Sequence, residues 1–286
     1  MNDSTLILGA VAYDPKVVTI WNGFRDYFRA HGLAFDYILF SNYERQVQAH
    51  FAGVIHVAWN SPLAWLQSQQ LAASRGRRAE AICMRDSDRD LTSVVLVRAD
   101  SAIATVTDLT GKRVAVGAKD SPQATLIPLE HLSQAGLKPN TDFAVISFEV
   151  LVGLHGDHIG GERDAVGALL DGTADAACIL EGNHAAFLAD GTLPSHATRI
   201  LSRTTPFDHC NFTVLDGAPA EQVNRFRELL LAMSYADPQV KPLLDLEGLK
   251  CWKPGRTSGY AVLTDAVERF GTLREFVRSS AAAIPS

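Results

Sequence analysis

Short apolar segments alternate with segments of helical spacing along the first hundred residues of this chain. An apolar run at 6–12 is followed at 17–30 by apolar residues three and four apart, Val18, Trp21, Phe24 and Phe28. The same order continues, with strands predicted at 34–40, 54–59, 79–84 and 92–97 and helices at 43–51 and 63–73. Because parallel strands need a long crossover, usually a helix, this alternation predicts a largely parallel sheet covered by helices.

The alternation starts again after Asp100. Strands are predicted at 113–116, 143–148, 174–180 and 198–202, with a helical turn at 106–109 and helices at 123–135, 164–170 and 183–189. A strand at 212–215 and an amphipathic helix at 220–232 then return to the first series. At 286 residues the chain is long enough for two domains. We predict a two-lobed α/β protein with crossovers near 98–104 and 204–212, lobe I being 1–100 plus 212–286 and lobe II being 101–211.

Composition excludes two classes of protein. Hydrophobic residues make up 47% and charged residues 20% of the chain, and no apolar run reaches the roughly 18 residues that a membrane span needs. The formal net charge is -6, and the basic residues are scattered, which argues against nucleic-acid binding. We therefore expect neither membrane insertion nor a nucleic-acid partner.

The cysteines and the N-terminus bear on the cellular compartment. Cys83, Cys178, Cys210 and Cys251 lie far apart without a CxxC pair, so neither a zinc ribbon nor a redox motif is present and a reducing compartment is indicated. The apolar run at 6–12 predicts a first strand and leaves no room for a secretory leader. We expect a cytoplasmic protein, or a periplasmic one if the N-terminus has been trimmed.

Four segments carry a family resemblance, at 43–65, 92–101, 108–128 and 163–177. The most specific is the third, which contains Asp108-Leu-Thr-Gly-Lys-Arg-Val-Ala-Val-Gly117. Together they resemble the phosphate/phosphonate-binding family of periplasmic ABC-transporter solute-binding proteins. The resemblance implies the type II periplasmic-binding-protein fold, with a ligand cleft between two α/β lobes and two crossovers. It also implies a small anionic ligand, such as a phosphonate, phosphate ester, sulfonate or carboxylate, with transporter subunits as partners if the protein is exported.

The resemblance places an anion site at a helix N-terminus in lobe II. The family has a Ser-Thr-Ser-like run that receives phosphonate oxygens, and here Ser121, Pro122 and Gln123 stand in its place. A helix N-terminus favours an oxyanion through its free N–H groups and partial positive charge, so Ser121 and Gln123 are predicted ligand residues. The alternative for Ser121 is a plain N-cap.

Three charged residues extend this predicted site. Arg163 stands where the family commonly has His before Asp, and its planar guanidinium suits carboxylate, phosphate or sulfonate. The alternative for Arg163 is an exposed arginine at a helix start. Glu181 matches an acidic position that faces the ammonium group in aminophosphonate binders. Asp208, on the crossover, could do the same or form hydrogen bonds at a hinge.

Uncharged donors are predicted from the strand ends of lobe I. Ligands of α/β sheets bind outside the carboxyl ends of the strands, and these positions are taken by Tyr13, Asn60, Ser61, Thr92 and Ser93. Such groups orient a ligand without fixing its identity.

An enzyme on the same fold remains the alternative. The missing leader and the many His and Asp residues do not fit a transporter component, and similar folds include intracellular enzymes such as a dihydroxyphthalate decarboxylase-like group. A decarboxylase or lyase acting on a small carboxylated substrate would use His56, His209 or Glu181 for proton transfer. The alternative for His56 is a buried structural histidine.

Two segments contain residues of metal-ligand type. His155, Asp157 and His158 could meet at one metal, and 86–90 loosely resembles a calcium loop but lacks its Gly and distal Glu. Neither spacing is diagnostic, and we interpret both as solvated loops. We therefore predict no metal site and no cofactor.

Overall fold

A computed structural model describes residues 5–149 and 159–274 of the chain. In chain order, the strands are β1 Leu6–Val11, β2 Phe35–Phe40, β3 Val57–Asn60, β4 Ala79–Arg85, β5 Ser93–Arg98, β6 Arg113–Val116, β7 Ala144–Ser147, β8 Ala176–Leu180, β9 Thr198–Arg203, β10 Asn211–Leu215 and β11 Trp252–Pro254. The helices are α1 Lys16–Ala30, α2 Tyr43–Phe51, α3 Pro62–Ser74, α4 Ile127–Gln134, α5 Ile159–Leu170, α6 Glu181–Ala189, α7 Ala220–Ala232, α8 Lys241–Glu247 and α9 Ala261–Phe270. Among the described residues, no helix is both long and apolar enough to cross a bilayer.

The described residues form two compact units. The first unit contains 5–89, 208–258 and 273–274, and the second contains 90–149, 159–207 and 259–272. Each unit is built on one β-sheet with helices packed against it, which confirms the predicted α/β class. The grouping differs from the predicted lobes: 90–100 and 259–272, predicted in lobe I, belong to the second unit, and 208–211, predicted in lobe II, belong to the first.

The sheet of the first unit has the strand order β11-β4-β10-β3-β1-β2. Strands β1, β2 and β3 are parallel, as predicted, while β10 runs antiparallel between β3 and β4. Its core is aromatic: the rings of Phe28 and Phe226 are 5.0 Å apart and those of Trp59 and Phe212 are 4.6 Å apart between centroids. Phe28, Phe226 and Phe212 are completely buried. These rings hold α1 and α7 against the sheet.

The sheet of the second unit has the order β7-β6-β8-β5-β9. Strand β6 is parallel to β7 and β8, whereas β5 is antiparallel to both of its neighbours. The strand at 92–97 was predicted in lobe I, but β5 belongs to the sheet of the second unit. The run 94–97 is apolar throughout and wholly buried, as is usual for a strand covered on both faces. Such a run does not specify which sheet it joins.

Helix α5 begins earlier than predicted. This helix was predicted over 164–170, but α5 starts at Ile159. A Cβ at Gly161 would lie 2.8 Å from the Phe148 carbonyl oxygen, so the glycine permits a close backbone approach within the helix.

Candidate functional site

One edge of the second unit's sheet gathers several of the predicted residues. Strands β6, β7 and β8 are parallel, and β9 runs in the same direction because both β8 and β9 are antiparallel to β5. The carboxyl ends of these four strands therefore lie at the same edge as the first residue of β5, Ser93. We call this edge the carboxyl edge of the second unit.

Ser121 caps a helical segment that follows β6. Its Oγ accepts the backbone N–H of Ala124 at 3.2 Å, and a π-helical turn at Pro122–Leu126 then continues directly into α4. Pro122 suits this first position because it has no N–H to leave unsatisfied. The predicted cap is therefore present, and Ser121 is 2% exposed. Its role as a ligand donor stays a prediction.

Ser93 contacts this turn at Gln123. The Ser93 hydroxyl donates to the Gln123 carbonyl oxygen at 2.5 Å, and the Ser93 N–H donates to the Thr204 hydroxyl at 3.0 Å. Ser93 and Gln123 are both buried. The structure thus brings three predicted residues together, Ser93, Ser121 and Gln123.

Glu181, the first residue of α6, forms the charged part of this edge. It accepts a hydrogen bond from the Thr92 hydroxyl, and Arg203 Nε donates to its other carboxylate oxygen at 2.9 Å. The hydrogen bond from Thr92, followed by that from Arg203, lowers the pKa of Glu181, so the carboxylate is ionised at neutral pH. Arg203 was not predicted as a site residue because the strand was predicted to end at residue 202. Its position at the carboxyl end of a strand was the available signal.

Arg163 is held elsewhere in the second unit. Because α5 starts at Ile159, Arg163 lies in its second turn rather than at a helix start. Its guanidinium donates to Asp190 at 2.6 Å and to the Thr192 hydroxyl, and lies over the Phe187 ring at 4.6 Å. These partners lie at the end of α6 opposite Glu181. The structure therefore does not bring Arg163 to the residues that contact Glu181.

In the first unit, the predicted donors have differing surroundings. The Asn60 side chain is completely buried: its Nδ2 donates to the Thr213 hydroxyl at 2.9 Å, and its Oδ1 accepts from Gln46 at 2.8 Å. Ser61 caps α3, since its Oγ accepts the Ala64 N–H at 3.2 Å. Tyr13 follows β1 and is 45% exposed. Asn60 and Ser61 are thus engaged within the fold.

Asp208 and His209 precede β10 and are both buried. Asp208 accepts two hydrogen bonds from Arg256, at 2.6 and 2.5 Å. The His209 Nδ1 lies 3.1 Å from the Cys210 Sγ and 3.5 Å from an Asp88 carboxylate oxygen. Asp208 therefore forms an internal ion pair with Arg256, and its role as a ligand residue stays a prediction.

A charged network surrounds Asp88. The carboxylate accepts two hydrogen bonds from Arg85, at 2.5 and 2.9 Å, and Arg85 also contacts Glu247 at 3.3 Å. Burial opposes ionisation of Asp88, but Arg85 and His209 outweigh it and bring its pKa down to about 2. Burial raises the pKa of Glu247 to about 7. Asp88 is thus a buried carboxylate held ionised by its neighbours.

His56 lies at the amino end of β3, away from the carboxyl end that carries Asn60 and Ser61. The backbone N–H of Ile7 donates to the Nδ1 of His56 at 3.0 Å, and the backbone N–H of His56 donates to the Ile7 carbonyl oxygen at 2.8 Å. Burial lowers its pKa, which favours neutral imidazole. These contacts favour the interpretation of His56 as a structural histidine. They are with Ile7, whereas His209 contacts Cys210 and Asp88.

The two segments considered as metal loops have different outcomes. His155, Asp157 and His158 lie outside the described residues. Within 86–90, Asp86 accepts the backbone N–H groups of Ser87 and Lys250 at 3.0 and 3.1 Å, whereas Asp88 pairs with Arg85. Asp86 and Asp88 thus do not share one set of partners.

Comparison with known proteins identifies the family. A family model described as ABC transporter, phosphonate, periplasmic substrate-binding protein matches residues 10–260. The chain belongs to this family. The predicted resemblance and the binding-protein interpretation are confirmed, and the comparisons give the enzyme alternative no support. A search of curated proteins found no match.

Solved structures show the same fold at low sequence identity. PhnD1 from Prochlorococcus marinus, in complex with methylphosphonate, is 16% identical with a TM-score of 0.66, over 94% of this chain and 99% of that one. A Xanthomonas citri protein bound to ATP is 17% identical with a TM-score of 0.69, over 96% and 99%. The periplasmic aliphatic sulphonate binding protein SsuA from Escherichia coli is 20% identical with a TM-score of 0.57, over 99% and 94%. These likenesses confirm the periplasmic-binding-protein fold.

Proposed function

We propose that this chain binds a small oxyanion, namely a phosphonate, phosphate ester, sulfonate or carboxylate, at the carboxyl edge of the second unit, and releases it chemically unchanged. The observation that carries the proposal is the hydrogen bond from Ser93 to the turn that Ser121 caps. The Ser121 hydroxyl provides a donor beside the first turn of the helical segment, and the N-terminus of that segment contributes a partial positive charge for an anion. Family membership and the ligands of the solved relatives support this class of ligand.

Arg203 and Glu181 supply the charges of this site. Arg203 carries the planar donor group that suits an oxyanion, and its side chain is 55% exposed. Glu181 is ionised beside it and offers an acceptor for a ligand ammonium group. We therefore expect ligands that carry both an oxyanion and an amino group to bind more tightly than those with the oxyanion alone.

Transporter subunits are the proposed protein partners, because the family is that of ABC-transporter substrate-binding proteins. The family description is periplasmic. The location of this chain stays a prediction, which fractionation of cells expressing the native gene would check.

Isothermal titration calorimetry of the full chain tests the binding site. Methylphosphonate, 2-aminoethylphosphonate, ethanesulfonate and acetate are the probes, and mass spectrometry of the recovered ligand checks that it is intact. We expect Arg203→Gln to weaken binding by about 10- to 100-fold, because it removes a charged hydrogen-bond donor. Ser121→Gly removes the hydroxyl at little cost to the helix, since glycine is tolerated at an N-cap.

Arg163→Gln is the matched comparison, since Arg163 is the arginine that the sequence analysis placed in the site. We expect this variant to keep nearly full affinity, because Arg163 and its partners Asp190 and Thr192 lie at the end of α6 opposite Glu181. If Arg203→Gln leaves the affinity unchanged and Arg163→Gln lowers it, the binding site lies at α5 and not at the carboxyl edge. Conversion of a ligand to a product would instead support the enzyme alternative.

A further inference from the structure

Three side chains with different donor atoms converge inside the first unit. They are Asp88, His209 and Cys210, and one ligand atom from each, a carboxylate oxygen, Nδ1 and Sγ, lies within 4.8 Å of the other two. The Nδ1–Sγ distance is 3.1 Å and the Nδ1–Oδ1 distance is 3.5 Å. Asp88, His209 and Cys210 are 2%, 5% and 5% exposed. This triad is separate from the carboxyl edge of the second unit, since all three residues belong to the first unit.

We propose that Asp88, His209 and Cys210 bind one divalent transition-metal ion, with Zn²⁺ the best match to their donor atoms. Nitrogen, sulfur and oxygen donors are the set that zinc uses in proteins. Bond lengths of zinc to these atoms place tetrahedral ligands about 3.3–3.8 Å apart. The distances from the His209 Nδ1 to its two neighbours are close to this range, so an ion would require only small side-chain movements.

Arg85 and Glu247 provide the surroundings that such a site needs. Each carboxylate oxygen of Asp88 has two lone pairs, so it can bind a metal while Arg85 orients it, as hydrogen-bonded carboxylate ligands commonly are. With the metal bound, the Asp88 carboxylate and the Cys210 thiolate would balance the dication. A buried cluster without net charge has a lower desolvation cost than one with an uncompensated charge.

Binding would change both the protonation and the stability of the first unit. The Cys210 thiol loses its proton to solvent as the sulfur bonds to the metal, and His209 binds as neutral imidazole through Nδ1 with its proton on Nε2. The ion gives up water ligands in exchange for the three side chains. Asp88 follows β4, and His209 and Cys210 precede β10, the neighbouring strand. An ion at this position would join two distant parts of the chain and stabilise the folded first unit by mass action.

The test uses the full chain after treatment with a chelator and dialysis. Zinc content after equilibration with Zn²⁺ is measured by elemental mass spectrometry, and Co²⁺ is added separately to record the near-ultraviolet thiolate-to-cobalt band. We expect one equivalent of zinc per chain, a cobalt–thiolate band and a higher melting temperature with zinc. Cys210→Ser should remove the band and weaken binding by at least about 100-fold.

Cys178→Ser is the control, because Cys178 is also a buried thiol but lies in the second unit. It should keep the band and the stoichiometry. His209→Gln is the second variant and should lower affinity while Cys210 remains in place. Absence of a thiolate band in the wild-type protein overturns the proposal whether or not the variants fold, and so does a band that survives Cys210→Ser.

Discussion

The buried side-chain amide of Asn60 forms hydrogen bonds with three neighbouring side chains. Its contacts to Gln46, Thr213 and Ser68 join α2, β10 and α3 to the end of β3. We expect Asn60→Ala to lower the free energy of unfolding by about 2–3 kcal/mol, because it leaves buried donors and acceptors without partners. Urea denaturation checks this.

Asn224 is the matched control for Asn60. It is exposed on α7, and Asn224→Ala should change stability by less than about 0.5 kcal/mol. Equal losses in the two variants would show that the buried network contributes nothing of its own.

His50 makes the stability of the first unit depend on pH. Burial lowers its pKa to about 4, while a histidine in the unfolded chain has a pKa of 6.5. Between these values the unfolded chain binds a proton that the folded one does not. The His50 contribution to stability is therefore present above pH 6.5 and is lost as pH falls towards 4.

The variant His50→Gln isolates this effect. Between pH 7 and pH 5, we expect the wild-type protein to lose about 2 kcal/mol more stability than the variant. Urea denaturation at the two pH values measures the difference. Parallel pH profiles would mean that His50 titrates alike in both states.

The residues of the candidate site show what sequence can and cannot predict. The cap at Ser121 follows from its position before a proline and a helical pattern, and Glu181 follows from its position after a strand. The contacts of Arg163 with Asp190 and of Asp208 with Arg256 join residues far apart in sequence. A single sequence does not contain that pairing information, so the choice between ligand contact and a structural role stayed open for both residues.

At the scale of elements, two glycines allow a matched test. A Cβ at Gly255 would lie 1.8 Å from the Ala81 carbonyl oxygen, so a side chain there forces β11 away from β4. Gly167, within α5, has open space around it. We expect Gly255→Ala to cost about 3 kcal/mol or more, and Gly167→Ala to add about 0.5–1 kcal/mol through helix propensity. Thermal denaturation compares the two, and the prediction fails if their effects share a sign.

Most elements before residue 232 follow from hydrophobic periodicity, and α7 has the predicted bounds. The elements after it, α8, β11 and α9, were not predicted. Strand β11 has only three residues and contains Pro254, which sequence patterns do not distinguish from a turn. Its strand conformation comes from pairing with β4, which is a tertiary effect.

At the scale of the molecule, each unit has a hydrophobic core of its own. Phe226 is buried in the first core and Ile179 in the second. Phe226→Ala should destabilise the protein by about 3–5 kcal/mol and Ile179→Ala by about 2–5 kcal/mol. Hydrogen exchange monitored by mass spectrometry should show faster exchange mainly in the unit that carries the substitution. Equal acceleration in both units would show that they open as one.

Strand β10 has a consequence for how the chain folds during synthesis. It lies between β3 and β4, and Thr213 reaches Asn60 across 153 residues of chain. Until the ribosome has delivered β10, these two strands lack their shared neighbour and the first sheet has a gap in its middle. The sheet of the second unit, whose strands run from β5 to β9 without interruption, is complete before that point. A nascent chain that stops short of β10 also lacks β11, so it would expose one unpaired edge of β3 and both edges of β4. Unpaired strand edges are the feature that most readily attracts other chains.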